Sequence, residues 1–245
     1  MTRMMSNTDR IYVVLPAYNE AGKIGRVVEK VKKIATVERI VVVDDCSSDG
    51  TSEEARTVGA EVIRHEVNRG VGAAIRTGIQ YGIANKFDIC AILSGDDQHE
   101  PEEIDRVVGP IVSGEYDFIQ GSRRMAGGKV VNDRPFRMIT TQLYSLFFSL
   151  LVGRRITDAT NGFRAFRVSL FAEQGIDLDQ DWLDRYELEP YILYKAIKNE
   201  QIRLKEVPIT IYYHQDPKSY TKMRPFRDWW RLAKPMVYLG LRLRK

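Results

Sequence analysis

The sequence predicts an α/β fold, a mostly parallel sheet with helices on both faces and a C-terminal amphipathic helical appendage. Three observations predict it. Along the first half of the chain, strand-like apolar runs alternate with segments whose apolar residues recur at helical spacing. The strand-like runs are short and carry few polar interruptions, as suits strands buried on both sides. Polar clusters follow successive runs, and in a parallel sheet those ends share one edge.

The elements follow in order. Residues 11–15 (IYVVL) read as a first strand ending at Pro16, and Ile24, Val27, Val28, Val31 and Ile34 set a helix over 24–34. Strands are predicted over 40–43, 61–64 and 89–93, with helices over 52–58 and 71–84 between them. Gly72, Gly78 and Gly82 weigh against the second of these helices. A helix over 102–112 starts beside Pro101, where proline is tolerated, and a fifth strand begins at Asp117. The second half is less regular. It predicts helices over 136–152 and 188–198, a strand over 162–170, and a strand over 204–212 whose Pro208 marks an edge or bulge.

Length and composition set bounds. A chain of 245 residues fits one large α/β domain, alone or with an appendage. We divide it into a flexible N-terminus (1–9), a domain (10–216) and a basic, aromatic C-terminal segment (217–245). A net charge of +4 excludes a histone-like protein. Cys46 and Cys90 lie in or beside apolar runs and read as small buried hydrophobes; two isolated cysteines make neither a disulfide framework nor a zinc site. The first ten residues lack the apolar core of a signal peptide. The longest apolar candidate, 139–152, is too short to span a bilayer, so no transmembrane helix is expected.

Chemistry is expected at the strand ends. Carboxylates gathered in one crevice repel unless a cation or a donor-rich ligand joins them, and a divalent metal with a diphosphate satisfies both needs. Asp44, Asp45 and Asp49 in DDCSSDG also suit a turn and a helix cap, so their spacing alone leaves the choice open. In SGDDQHEPEE, Asp96 and Asp97 sit just past a buried strand with Gln98 and His99 following, and oxygen ligands spaced this way suit Mg²⁺ or Mn²⁺. Glu102 and Glu103 read as acids favoured at a helix N-terminus.

PAYNE at 16–20, VVVDDCSSDGT at 41–51, NRGVGAAIRTG at 68–78, GDDQHEPEE at 95–103 and GSR at 121–123 resemble the inverting family-2 glycosyltransferases of GT-A fold. GG at 127–128, TDATNGFRAF at 157–166 and EVPIT at 206–210 resemble their dolichol-phosphate mannose synthase branch, which makes polyprenyl-phosphate sugars. The resemblance covers about residues 10–223, and the order and spacing of the motifs carry it.

The resemblance implies roles residue by residue. Pro16, Ala17, Tyr18 and Glu20 would hold the nucleotide's base and ribose, with Val42 and Asp44 lining the base pocket. Asp96 and Gln98 would bind the metal, Mg²⁺ or Mn²⁺, that bridges the donor diphosphate. Arg123 would contact phosphate, Arg137 stands where a second arginine takes the acceptor phosphate, and Arg164 and Lys222 fall at acceptor and loop positions. Two departures stand out. Ser94 replaces a usual Asp, and Tyr213 and His214 stand near a usual arginine.

A phosphate acceptor is already ionised near neutral pH and needs no strong base. A hydroxyl acceptor would need one, and Asp97 and Asp158 are the candidates. Transfer to a saccharide or other hydroxyl, a nucleotide-sugar-binding protein weakened at Ser94, and a nucleotidyltransferase therefore stay open beside polyprenyl phosphate. From Pro217 onward nine basic residues face one acid, Asp228, among Trp229, Trp230, Leu232 and Leu239, a pattern suited to anionic lipid. Pro235 is expected to kink this helix. No nucleic-acid-binding motif accompanies the charge. The expectation is a peripheral protein on the cytoplasmic face of a membrane, alone or with a membrane partner protein.

Overall fold

The computed structural model describes residues 9–213, 227–241 and 243. Its strands are β1 (Ile11–Ala17), β2 (Arg39–Asp44), β3 (Glu61–Arg64), β4 (Ile89–Ile92), β5 (Phe118–Ser122), β6 (Lys129–Val131), β7 (Arg164–Arg167), β8 (Leu204–Pro208) and β9 (Thr210–Tyr212). The helices are α1 (Ile24–Val31), α2 (Thr51–Thr57), α3 (Val71–Ala84), α4 (Ile104–Val112), α5 (Pro135–Val152), α6 (Ser169–Glu173), α7 (Leu188–Lys198) and α8 (Arg227–Gly240). A 3₁₀ turn, Pro101–Glu103, leads into α4.

Seven strands form one sheet in the order β3-β2-β1-β4-β7-β5-β8, and β6 pairs with β9 in a second. The large sheet is parallel except for β7, which runs antiparallel to both β4 and β5. The predicted strand over 204–212 divides after Pro208. β8 pairs with β5 and β9 with β6, because Pro208 has no N–H with which to continue a ladder. The strand predicted over 162–170 keeps only its middle, and residues after Val168 turn into α6. β6 was not anticipated; three residues carry too little periodicity to be read.

Alternating residues of each strand feed two cores. Tyr12, Val14, Val41, Val43, Cys90 and Ile92 face a core shared with α3, α5, α7 and α8. Val13, Leu15, Val42, Ala91 and Leu93 face a core shared with α1, α2 and α4. This period-2 division is what continuous apolar strands require when helices cover both faces. The glycines of α3 serve that packing. A Cβ at Gly78 would collide with Val14, and one at Gly82 with Tyr12, so both let the helix lie close on β1.

Of the C-terminal segment, the described helix α8 is docked rather than detached. α8 packs on α5 and α7, Leu239 joins the core, and Tyr144 donates a hydrogen bond to the carbonyl of Leu232. It runs through Pro235 as one helix. Among the described residues, no helix is long and apolar enough to cross a membrane.

Candidate active site

Strand order fixes the location of the site. From β1 the chain steps to β2 on one side and later to β4 on the other, so the crevice opens at the carboxyl ends of β1 and β4. The end of β4 is drawn against that of β1, where the Gly95 amide donates to the Pro16 carbonyl at 3.3 Å. A Cβ on Gly95 would lie 3.0 Å from Ile24, tighter than ordinary contact. Three turns at this edge contain a left-handed residue, Asn19 (φ 52), Cys46 (φ 64) and Asp97 (φ 61). Each re-aims the chain within a few residues of a strand's end, and asparagine and aspartate tolerate this conformation better than most residues.

On the β1–β2 side, side chains lock the loops together. The Asn19 amide donates to Ser47 Oγ at 2.8 Å, and Asn19 Oδ1 accepts from the Ser48 amide at 2.8 Å. The Glu20 amide donates to Thr51 Oγ1 while its carboxylate pairs with Lys23 at 2.9 Å. Asp44 is fully buried; its carboxylate accepts from the Ser47 amide and hydroxyl, from Ser52 Oγ and from Arg64. Asp45 accepts from the amides of Arg69 and Gly70 and pairs with His65, so it shapes the loop that opens α3. Tyr18 is 38% exposed at the cleft's lip, whereas Pro16 and Ala17 belong to β1 itself. Val42 does not line a pocket with its side chain. Its register turns it into the α1–α2–α4 core, where it is fully buried.

The turn after β4 presents Asp96 and Gln98. Asp96 Oδ1 accepts from the Gln98 amide at 3.2 Å, and the Gln98 carbonyl accepts from the Tyr212 amide at 2.8 Å, which ties the turn to β9. His99 supports it from beneath. The Ser94 amide donates to its Nδ1 at 3.2 Å, so Nε2 carries the proton and donates to Asn161 Oδ1 at 3.1 Å. Burial pushes His99 down to about 4, against the Asn161 hydrogen bond, so the ring is neutral. Asp97 points the other way and pairs with Arg26 at 3.0 Å and Lys30 at 3.6 Å on α1. It therefore does not stand in for the Asp missing at position 94. Among the described residues, no cluster of three His, Cys, Asp or Glu could hold a metal alone. One carboxylate and one amide fit a hard cation that brings most of its ligands as diphosphate oxygens and water.

On the β5–β7 side, the antiparallel course of β7 brings its leading segment to the same edge. Asp158 arrives there and pairs with Arg123, Nε to Oδ2 at 2.7 Å and Nη2 to Oδ1 at 3.0 Å, with both side chains buried. Nη2 also donates to Thr160 Oγ1, and Nη1 donates to the Tyr213 hydroxyl. Burial alone would lower the Arg123 pKa, but the Asp158 charge raises it beyond its ordinary value. Glu206 accepts from the amides of Thr157 and Asp158 and holds this segment in place. Arg137 lies in the first turn of α5 with its guanidinium 4.1 Å from the centre of the Tyr213 ring.

Arg164 does not reach the acceptor side. It is 1% exposed, shares the sheet face of Phe166, and bolts β7 to α7 through the Glu189 carbonyl at 3.1 Å and carboxylate at 3.2 Å. Lys222 and His214 lie outside the described residues. Sequence reading left His99 without a role and saw Tyr213 only as a replacement. The signal it had was their adjacency to Gln98 and to the EVPIT strand; the contacts that place them, His99 with Asn161 and Tyr213 with Arg123, are with distant segments.

Residues 12–175 match the family described as glycosyl transferase family 2. The chain is 30% identical over 206 residues to an undecaprenyl-phosphate mannosyltransferase of Micrococcus luteus, covering 82% of this chain and 83% of that one. It is 30% identical over 221 residues to a UDP-N-acetylglucosamine–dolichyl-phosphate N-acetylglucosaminyltransferase of Methanococcus voltae, covering 83% and 86%. Its fold matches glucosyl-3-phosphoglycerate synthase of Mycobacterium tuberculosis, solved with Mn²⁺, UDP-glucose and phosphoglyceric acid. There the TM-score is 0.71 at 18% identity, over 97% of this chain and 81% of that one.

Proposed function

The chain belongs to glycosyl transferase family 2, and from this membership we propose that it moves a hexose, with inversion, from a nucleotide sugar to a polyprenyl phosphate at a membrane surface. One observation carries the choice of acceptor. Both carboxylates that a hydroxyl acceptor would use as base are engaged, Asp97 with Arg26 and Lys30, and Asp158 with Arg123. A phosphate monoester, largely ionised at neutral pH, needs neither.

The donor reading draws on the β1–β2 loops. Tyr18, Glu20 and the loop fastened by Asp44 would take the base and ribose, with GDP-mannose and UDP-sugars both candidates. Asp96 and Gln98 would hold Mg²⁺ or Mn²⁺ together with the diphosphate, and the cation supplies charge neutralisation for the leaving nucleoside diphosphate. Asp158 holds Arg123 through Nε and one N–H of Nη2, leaving Nη1 and the other N–H of Nη2 on neutral hydroxyls. An acceptor phosphate reaches Arg123 by replacing the Thr160 hydroxyl, a trade of a neutral for a charged acceptor. Arg137, at the N-terminal end of α5, adds a second cation where the helix dipole also favours an anion. Together they align the phosphate oxygen for in-line attack at the anomeric carbon.

The membrane reading rests on α5 and α8. Phe136, Ile139, Leu143, Leu146, Phe147 and Leu150 are all exposed on α5, which begins beside the acceptor arginines. Trp230 and Leu241 are exposed on and just past α8. So much exposed apolar surface beside a lipid-phosphate site suits a peripheral protein on the cytoplasmic face, with or without a membrane partner.

The test is a donor and acceptor screen. Purified protein with Mn²⁺ or Mg²⁺ receives GDP-mannose, UDP-glucose or UDP-N-acetylglucosamine, each with and without a short polyprenyl phosphate. Lipid-dependent release of nucleoside diphosphate is the expected result. Donor binding without lipid-dependent release would sink the reading and favour a saccharide acceptor or a binding protein.

A further inference from the structure

Tyr213 stands between the two acceptor arginines. Its hydroxyl oxygen accepts from Arg123 Nη1, and its ring lies under the Arg137 guanidinium, 4.1 Å from the carbon of that group. The residue is 5% exposed. Its backbone is fixed on both sides. The Tyr213 amide donates to the Val131 carbonyl at 2.9 Å, and Asn132 Nδ2 donates to the Tyr213 carbonyl at 3.2 Å. The preceding residue, Tyr212, donates to the Gln98 carbonyl in the turn that presents Asp96. One short strand, β9, thus connects the diphosphate turn to the acceptor cations.

The hydroxyl chemistry is incomplete. A phenol has one O–H to donate as well as an oxygen to accept. The oxygen is used by Arg123, but the O–H meets no acceptor among the described residues. A hydrogen bond received from a cation polarises the O–H and strengthens what it donates next. Among the described residues, the phenol's contacts with charged groups are with donors, Arg123 and Arg137. The missing partner is therefore an acceptor, and between two guanidinium groups it is an anion.

We propose that Tyr213 is a direct ligand of the acceptor phosphate, donating its O–H to a phosphate oxygen while its ring and oxygen hold Arg137 and Arg123 in one anion-binding fork. This rests on the polyprenyl-phosphate reading above. It makes Tyr213 a discriminator of phosphate from neutral alcohol, set between an Arg123 held by Asp158 and an Arg137 lying over its ring.

The experiment measures equilibrium binding of citronellyl phosphate, of citronellol and of the donor nucleotide sugar that supports turnover or binds tightest. Wild type is compared with Tyr213→Phe, which keeps the ring beneath Arg137, and with Tyr213→Leu, which loses both contacts. Tyr213→Phe should weaken citronellyl phosphate about tenfold, in line with one hydrogen bond to a charged group. Donor affinity and the melting temperature should stay near wild type. Tyr213→Leu should weaken the phosphate further and erase the preference over citronellol. Unchanged citronellyl phosphate binding in Tyr213→Phe overturns the proposal, as does equal weakening of donor and acceptor, which would mark a structural role. Wild type that binds citronellyl phosphate through Tyr213 but transfers no sugar to it supports the site and sinks the proposed function instead. Wild type that binds citronellol as well as citronellyl phosphate overturns the site itself.

Discussion

On the β1–β2 side of the cleft, the buried carboxylates of Asp44 and Asp45 are fastened by near neighbours in the chain. Asp44 bonds to Ser47, Ser52 and Arg64, and Asp45 to His65, Arg69 and Gly70, none more than 25 residues away. On the β5–β7 side, Arg123 bonds to Asp158, Thr160 and Tyr213, separated from it by 35, 37 and 90 residues. The first side is a set of turns whose side chains satisfy their own backbone. The second is an assembly of segments that meet only once the sheet has formed. The two differ in what holds a charge in place, and so in what a substitution should do.

The largest effect is expected where a long-range partner is removed from a buried charge. Asp158→Ala leaves Arg123 buried and unpaired, which should cost about 3–5 kcal/mol in denaturant unfolding and abolish transfer. A loss below about 1 kcal/mol would mean that the guanidinium finds solvent, erasing the contrast between the two sides. If Asp96 holds the metal as proposed, Asp96→Asn should leave stability near wild type and lower metal-supported turnover by about 100-fold. Asp45→Asn tests the local side. It loses charge-assisted bonds to two backbone amides and should cost about 2 kcal/mol, with donor affinity falling and acceptor affinity unchanged. Leu146→Glu sharpens the comparison from outside the cleft. Removing an exposed apolar side chain should weaken binding to anionic vesicles about tenfold without moving the melting temperature. The smallest effect is expected for Ser94→Asp, which adds a carboxylate to the turn after β4. It should lower the metal concentration needed for half-maximal turnover by a few-fold, about 1 kcal/mol, measured by metal titration.

The same contrast explains what could be read in advance. The strands and helices of the first half follow from apolar periodicity, and the turns after them from Asn, Asp, Ser and Gly. Asp96 and Gln98 could be proposed from the sequence because their spacing is a property of five consecutive residues. Arg164 was misplaced because its sequence context, FRAF, does not say which face of β7 it occupies. The register against β4 and β5 turns it toward α7. Val42 fell to the same limit, since one residue of register moves a side chain from cleft to core. Asp97 was a candidate base until α1 supplied Arg26 and Lys30.

By itself, then, the sequence determined the alternation of strands and helices, the polar turns at one edge, the family motifs and the basic, aromatic C-terminal segment. These are local properties, readable within a window of a few residues. Only the tertiary structure decided that β4 lies beside β1, that β7 runs backward, that Asp158 meets Arg123, and that Tyr213 separates two arginines. Each of these depends on which distant groups are buried against one another. The environment that gives a charged side chain its role is made by strand order and register, and no local stretch of chain specifies either.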